Sequence, residues 1–300
     1  MTEQRVIGIV YNDRVPEAKN LAQELMGKYG TNKESWISPG TKLLDSKFSL
    51  ESTSAIVTAG GDGTILQVAH LIAPYKIPII GVNFGRVGFL TELEPHEAMS
   101  ELQTYLSQAE EGNDIEERSM LLVEAYRGQN GQNIPDATFH ALNDVVVARG
   151  ANPQLINIEA SVSEIPLTTY AADAVIVSTA TGSTGYNLAA RGPILHPKSK
   201  DILLTPVAPH LSFNIPMILS ETSTITLAIK KNQAVLSVDG ISEIDLGTSS
   251  GMSNYVSIRN SPYTTEFVRG DISRFYARLT NYLNLNFYAN LVEKSTPDPD

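Results

Sequence analysis

The chain has 300 residues, 42% of them hydrophobic and 18% charged, with a formal net charge of −11. That length suffices for one large domain or two ordinary ones, and the composition is globular rather than disordered. The acidity argues against a protein that coats nucleic acid or an anionic membrane. The absence of cysteine excludes disulfides, thiolate nucleophiles and cysteine-bound zinc. The N-terminal MTEQRVIGIVYNDR lacks the apolar core of a signal peptide, and no apolar run approaches the ~20 residues of a membrane span. The expectation is a cytoplasmic protein without nucleic-acid or membrane partners.

In chain order, Arg5 to Tyr11 is an apolar run that suits a buried parallel strand. Pro16 suits a first helical turn. Val15, Ala18, Leu21, Ala22 and Leu25 follow at helical spacing, and Gly30 is a stop. Ser54 to Ala59 predicts a second strand that ends in Gly60-Gly61-Asp62-Gly63-Thr64, and Ile65 to Ile72 a helix closed before Pro74. Lys76 to Val82 predicts a third strand that runs into the loop Asn83-Phe84-Gly85-Arg86-Val87-Gly88. Strand–helix–strand alternation implies a parallel sheet with right-handed crossovers.

From about residue 116 helical periodicity fades. SMLLVEAYRG, HALNDVVVARG, LINIEASV, ADAVIVST, STITLAIKK and AVLSVDG are short apolar runs between turns, the pattern of a mainly antiparallel β domain. Residues 267–283 regain helical character, and Ser295 to Asp300 reads as a disordered tail.

Three motifs carry chemistry. Gly60-Gly61-Asp62-Gly63-Thr64 follows a strand and opens a helix, where open α/β sheets bind ligands. Glycines let the backbone approach a phosphate, and the helix start offers N–H groups to an anion. A carboxylate among them makes sense if Asp62 handles a proton or a metal near a transferred group. The bland alternative is a βα turn with Asp62 as N-cap. Such a string should arise by chance in roughly one chain of this length in three thousand. The second motif, Ser178 to Asn187 (STATGSTGYN), offers hydroxyls and glycines to phosphate or ribose and Tyr186 to a ring. Its alternative is a Ser/Thr-rich turn. In the third, Asn143-Asp144, adjacent polar residues in an apolar strand point to opposite faces and can bind paired hydroxyls. By itself a strand-end turn is the better reading. Asp173 and Asp239-Gly240 are further carboxylates at strand ends. No Walker A, G-x-G-x-x-G, zinc-spaced histidine pair or G-x-S-x-G is present. Each histidine reads as a capped or surface residue, with His210 the one to watch.

Together these segments resemble the NAD kinases, over about residues 5 to 240. Gly60 to Thr64 matches that family's first signature. Gly81 to Thr91 (GVNFGRVGFLT) is similar to its G-x-N-x-G-x-L-G-F-L-T, Asn143-Asp144 to its Asn-Glu, and Asp173 to Tyr186 (DAVIVSTATGSTGY) to its D-G-x-x-x-S-T-P-T-G-S-T-A-Y. Gly192-Pro193-Ile194 and Thr205 to His210 continue the match. GGDGT alone is shared with diacylglycerol, sphingosine and phosphofructokinase relatives; the later segments select NAD kinase.

The resemblance implies an α/β N-terminal domain (1–115, a Rossmann-like parallel sheet) and a mainly antiparallel β-sandwich C-terminal domain (116–300). Residues 267–290 would pack back on the first, and NAD would lie in the cleft between the two. It implies transfer of the ATP γ-phosphoryl group to the 2′-hydroxyl of the adenosine ribose of NAD, with a divalent cation, Mg²⁺, and a homo-oligomer, dimer or tetramer. Asp62 would activate that hydroxyl, while Gly61, Gly63 and Thr64 would line nucleotide phosphates, beside Phe89 of the second segment. Asn143 and Asp144 would hold ribose hydroxyls and adenine, and Asp173 would reach the nicotinamide end. Thr184, Gly185, Tyr186, Asn187, Ala189 and Ala208 would line the dinucleotide site. The chain departs from the family pattern at Val87, and at Asp144, Ala174, Ala180, Gly185, Ala189, Arg191 and Ile215, and these last seven are not expected to touch Asp62. Two other readings stay open: a lipid or sugar kinase sharing only GGDGT, and a catalytically silent NAD(P)-binding regulator.

Overall fold

The computed structural model describes residues 5–45, 48–85, 88–127, 134–151, 154–210, 213–247, 254–270 and 273–283. Arg86, Val87 and the tail 295–300 of the sequence reading lie outside them. The chain divides into two compact units. One comprises Met1–Val68, Ile77–Glu116 and Phe267–Asp300, the other Ala69–Lys76 and Glu117–Glu266.

The first unit runs β1 (Val6–Tyr11), α1 (Pro16–Tyr29), β2 (Trp36–Pro39), β3 (Thr53–Gly60), α2 (Asp62–Ile72), β4 (Ile79–Asn83) and α3 (Pro95–Glu111). Its strands lie in the order β2-β1-β3-β4, all paired in parallel. Parallel strands covered by helices read as near-continuous apolar runs, and VIGIVY and the first four residues of IIGVN fit that. Leu21 and Leu25 of α1 and Leu102 and Leu106 of α3 close one core with Ile7, Ile9 and Val57. The third predicted strand starts later than Lys76, at Ile79. The helix of the glycine motif starts earlier than Ile65, at Asp62.

The sequence reading assigned no element to β2 or α3. For α3 the signal was there. Pro95 opens the helix, Glu94 and Glu97 form a reciprocal capping box, and Gly112 closes it in the left-handed conformation at φ 68°. Ala98, Leu102, Tyr105 and Leu106 give the helical stripe between them.

The second unit contains most of β5 (Ile115–Tyr126), then β6 (Ala137–Ala141), β7 (Asp144–Arg149), β8 (Ile156–Val162), β9 (Ile165–Ala172) and β10 (Ala174–Ser178). It continues with a one-turn α4 (Tyr186–Ala189), β11 (Ile202–Val207), β12 (Met217–Leu219), β13 (Ile225–Lys231), β14 (Ala234–Val238) and β15 (Ser242–Gly247). The long β16 (Tyr255–Val268) follows and enters the first unit at Phe267, which pairs in parallel with Ile79 of β4. The last described element, α5 (Ser273–Tyr282), belongs to the first unit.

One antiparallel sheet has the order β12-β11-β10-β7-β14-β15, and β16-β13-β8-β9 forms the other layer. A single core containing Val145, Val175, Leu204 and Leu236 from the first layer and Ile158, Tyr170, Leu227 and Ile258 from the second joins them as a β-sandwich. HALNDVVVARG is two strands rather than one, broken at Leu142-Asn143, so the two polar residues belong to a turn and the strand that follows it.

Leu102 is fully buried in α3. Leu102→Ala should cost about 2–5 kcal/mol, read as a lowered urea midpoint for the first unit's unfolding, with native-like circular dichroism retained.

Candidate active site

In the first unit, β3 ends at Gly60 and α2 begins at Asp62. The Asp62 side chain does not cap its own helix. Its Oδ2 accepts the Phe89 N–H at 2.9 Å and its Oδ1 the Leu90 N–H at 3.1 Å. This is why Gly88 is glycine: a Cβ there would lie 2.3 Å from Asp62 Oδ1. The first motif therefore grips the second, GVNFGRVGFLT, through backbone amides. A carboxylate has about four lone-pair sites, so Asp62 keeps acceptor capacity for a ligand. A Cβ at Gly61 or Gly63 would meet nothing within 4 Å among the described residues. The backbone at the start of α2 is thus open to a close-lying anion.

Phe89 does not stand free beside this loop. Its ring packs at 6.1 Å from Phe275 and 5.5 Å from Tyr282, centroid to centroid. Behind it the buried Glu92 accepts from Arg269 at 3.2 Å and from the Gly270 N–H at 2.9 Å, and Arg278 donates to the Thr91 carbonyl. The loop carrying the Asp62 partners is thereby fixed to the C-terminal segment of its own unit.

In the second unit the turn Leu142-Asn143-Asp144 is organised by Asp239, at the end of β14. The Asp239 carboxylate has no exposed side-chain surface. Its Oδ2 accepts from the Leu142 N–H at 2.7 Å, and its Oδ1 accepts from the Asn143 and Asp144 N–H groups at 2.8 Å each. His70 Nε2 lies 2.7 Å from Oδ2. Asp239 holds φ at 50°, in the left-handed region that favours glycine, and the network around it maintains that conformation. Across the turn, Thr179 Oγ1 donates to the Leu142 carbonyl at 2.6 Å, and the Thr179 N–H donates to the Asn143 carbonyl at 2.9 Å. A Cβ at Gly182 would stand 2.0 Å from the Asn143 carbonyl oxygen, so only glycine lets the loop after β10 lie on this turn.

Asn143 Oδ1 is enclosed and makes no hydrogen bond among the described residues. The Asp144 carboxyl is pushed up to about 7, by burial first and by the neighbouring Asp239 charge second, with the Tyr186 backbone N–H pulling the other way. A Cβ at Gly185 would lie 3.6 Å from Asp144 Oδ2 and 3.7 Å from Asn143 Nδ2. Gly185 therefore marks the place where these two polar groups and the Ser/Thr loop converge. Tyr186 is 44% exposed, its ring available to a ligand.

The other predicted residues divide. Ala189 and Ala208 line one cavity of about 450 Å³, with Arg191, Pro206 and Asn214. Arg191 holds φ at 64° there, where the family resemblance has glycine. The Thr184 hydroxyl donates to the Thr181 carbonyl at 3.1 Å. Asn187 is a correction: it is fully buried, its amide donates to Ser183 and Pro193, and its oxygen accepts from Thr205. It holds the loop in place rather than facing a ligand. Asp173 pairs with Arg149 at 2.8 Å on the surface. Sequence reasoning passed over His70, and it treated Asp239 as a weak signal. No local pattern could join them, because their contact spans 169 positions. His210 is exposed, and its N–H donates to the Ala171 carbonyl. Among the described residues no group of three or more His, Asp or Glu side chains is placed to hold a metal.

A parallel sheet whose strand ends in an open glycine loop with a fixed carboxylate, joined in one chain to a β-sandwich with a polar strand-end turn, defines a nucleotide-dependent phosphotransferase. Residues 30–110 match the ATP-NAD kinase N-terminal domain family, and residues 142–270 the ATP-NAD kinase C-terminal domain family. The chain is 42% identical over 266 residues to an NAD kinase of Dehalococcoides mccartyi (strain CBDB1), covering 88% of this chain and 90% of the relative. It is 39% identical over 227 residues to one from Chloroflexus aurantiacus (strain ATCC 29366 / DSM 635 / J-10-fl), covering 75% and 78%. An NAD kinase from Archaeoglobus fulgidus solved in complex with ATP superposes with a TM-score of 0.64 at 25% identity, covering 90% of this chain and 96% of that one. Yeast NADH kinase, solved with NADH, shares the fold with a TM-score of 0.78 at 24% identity, covering 100% and 91%. The chain belongs to the NAD kinase family.

The raised Asp144 carboxyl has a consequence for stability. Between its unfolded value near 4 and its folded value of about 7, the folded state binds a proton that the unfolded state has lost. Stability from this group is full below about pH 4 and is lost as pH rises toward 7. Asp144→Asn, which cannot ionise, should gain in melting temperature relative to wild type across that window and then level off. Parallel melting-temperature curves for the two proteins would refute the assignment.

Proposed function

We propose that this chain phosphorylates NAD at the 2′-hydroxyl of its adenosine ribose with ATP, yielding NADP and ADP. The observation that carries the site assignment is the Asp62 carboxylate, held by two backbone N–H groups at the open glycine start of α2. An alcohol is a poor nucleophile at neutral pH, and a fixed carboxylate can take its proton as the new bond forms. The ribose 2′-oxygen attacks the γ-phosphorus, the bond from that phosphorus to the β,γ-bridging oxygen breaks, and ADP leaves. The hydroxyl proton passes to Asp62. In a loose phosphoryl transfer most of the catalysis is positioning and charge stabilisation, which suits a carboxylate already locked in place. The N–H groups around Gly61, Gly63 and Thr64 face the phosphates.

Asn143 and Asp144 take the ribose hydroxyls. The unpartnered Asn143 Oδ1 and the buried Asp144 carboxyl give two adjacent acceptors, and a buried acceptor with no partner calls for a ligand. Gly185, Tyr186, Ala189 and Ala208 line the dinucleotide, and Asp173 reaches the nicotinamide end together with its Arg149 partner. A divalent cation, Mg²⁺, accompanies ATP and offsets the charge of its phosphates. The same reading makes the protein a cytoplasmic homo-oligomer, dimer or tetramer. The exposed Ile165 and Leu167 on β9 support the oligomer.

The test is turnover with NAD⁺, ATP and Mg²⁺, the NADP⁺ read by an NADP-specific dehydrogenase. Wild type should produce NADP⁺. Asp62→Asn should fall by roughly 10²-fold or more, while calorimetric NAD binding largely survives. The variant should also melt lower, because asparagine offers one acceptor oxygen to two backbone N–H groups. Near-normal turnover would defeat the proton role. NAD binding without turnover in wild type would indicate a regulator, and no NAD binding a kinase for another alcohol.

A further inference from the structure

We propose that His70 is a positioning residue for NAD: through Asp239 it holds the Leu142-Asn143-Asp144 turn in its substrate-binding form. This rests on the reading that Asn143 and Asp144 contact the ribose. His70 itself touches none of the residues assigned to NAD or ATP in the hydrogen bonds above. Its effect passes through one buried carboxylate.

The argument begins with backbone accounting. Leu142, Asn143 and Asp144 lie where β6 has ended and β7 begins, so their three N–H groups point away from the ladder and need acceptors. Three successive N–H groups make a small anion-binding nest, and Asp239 fills it with both oxygens. A fully buried carboxylate stays in place only if its lone pairs are satisfied. Two of the Oδ2 positions are met, by the Leu142 N–H and by His70 Nε2, each at 2.7 Å. His70 is thus the side-chain donor of this cluster, with 14% of its side chain exposed. It comes from α2, the helix that opens on Asp62. The turn has a further hydrogen-bonded tie to Asp239, because the Asp239 N–H donates to the Asp144 carbonyl at 2.9 Å. A shift of Asp239 therefore moves the backbone of Asp144, and Asn143 with it. Removing the histidine leaves Oδ2 short of a donor in a buried site. The carboxylate then turns toward water or admits it, and the three amides lose their common acceptor.

This predicts a specific kinetic signature. His70→Ala should raise KM for NAD roughly tenfold or more, the scale of a lost hydrogen bond to a charged group. kcat should stay within about threefold, since Asp62 and its amide partners are untouched, and KM for ATP should not move. His70→Gln, whose amide can still donate to Oδ2, should restore most of the NAD affinity. If alanine leaves a hole that unfolds the chain, His70→Leu fills the space without a donor and gives the same readout. A merely structural histidine would lower the melting temperature of these variants and leave KM for NAD alone. Unchanged KM for NAD in His70→Ala and His70→Leu, with Asn143→Ala raising it, overturns the role of His70 alone. If Asn143→Ala and Asp144→Ala also leave KM for NAD unchanged, the assignment of the turn to the ribose fails, and the role of His70 with it. Failure of His70→Gln to restore affinity would equally overturn a role carried by the hydrogen bond.

Discussion

The second unit depends on a buried negative charge. Asp239 has no exposed side-chain surface, yet it sits within reach of a second carboxyl, Asp144. Isolated, such a charge would be expelled or neutralised. Here three backbone N–H groups and His70 surround it, and Asp144 is the partner whose protonation yields. The break between β6 and β7 falls at the amides that this carboxylate holds, where Gly182 also approaches the Asn143 carbonyl and Asn143 Oδ1 is enclosed.

The first unit repeats the device with different parts. Asp62 also spends both oxygens on backbone N–H groups, those of Phe89 and Leu90. In each unit a carboxylate from one strand end fixes a loop distant in sequence, and glycines appear where a Cβ would collide with the contact: Gly88 against Asp62, Gly182 against Asn143. These contacts are made within the chain itself. A phosphoryl transfer gains most from positioning, which contacts of this kind supply.

Much of the fold was legible because burial leaves a regular trace. The continuous apolar runs at Val6–Tyr11 and Thr53–Gly60 and the helical stripe after Pro16 gave the parallel sheet and its first helix. The short apolar runs after residue 116 gave the antiparallel sandwich. Helix α3 was missed although its capping box and left-handed glycine stand in the sequence. The short strand β2, with one of its four residues exposed, has too little pattern to announce itself. The family motifs pointed to Asp62, Asn143, Asp144 and the loop around Gly185, but not to what each does locally. Asn187 lies inside a matching segment and turns out to be a buried bracket for its own loop.

The sequence by itself determined the two textures of the chain, the glycine loop that opens α2, and the family to which the motifs belong. These are properties of neighbours along the chain, set by periodicity, by missing side chains and by short spacings. Only the tertiary structure decided which polar groups meet. Asp62 reaches amides 27 and 28 positions away, and Asp239 joins His70 to the Asp144 turn across 169 and 95 positions. A hydrogen bond is fixed by distance and direction in space, and its partners share no pattern that a reading along the chain can see.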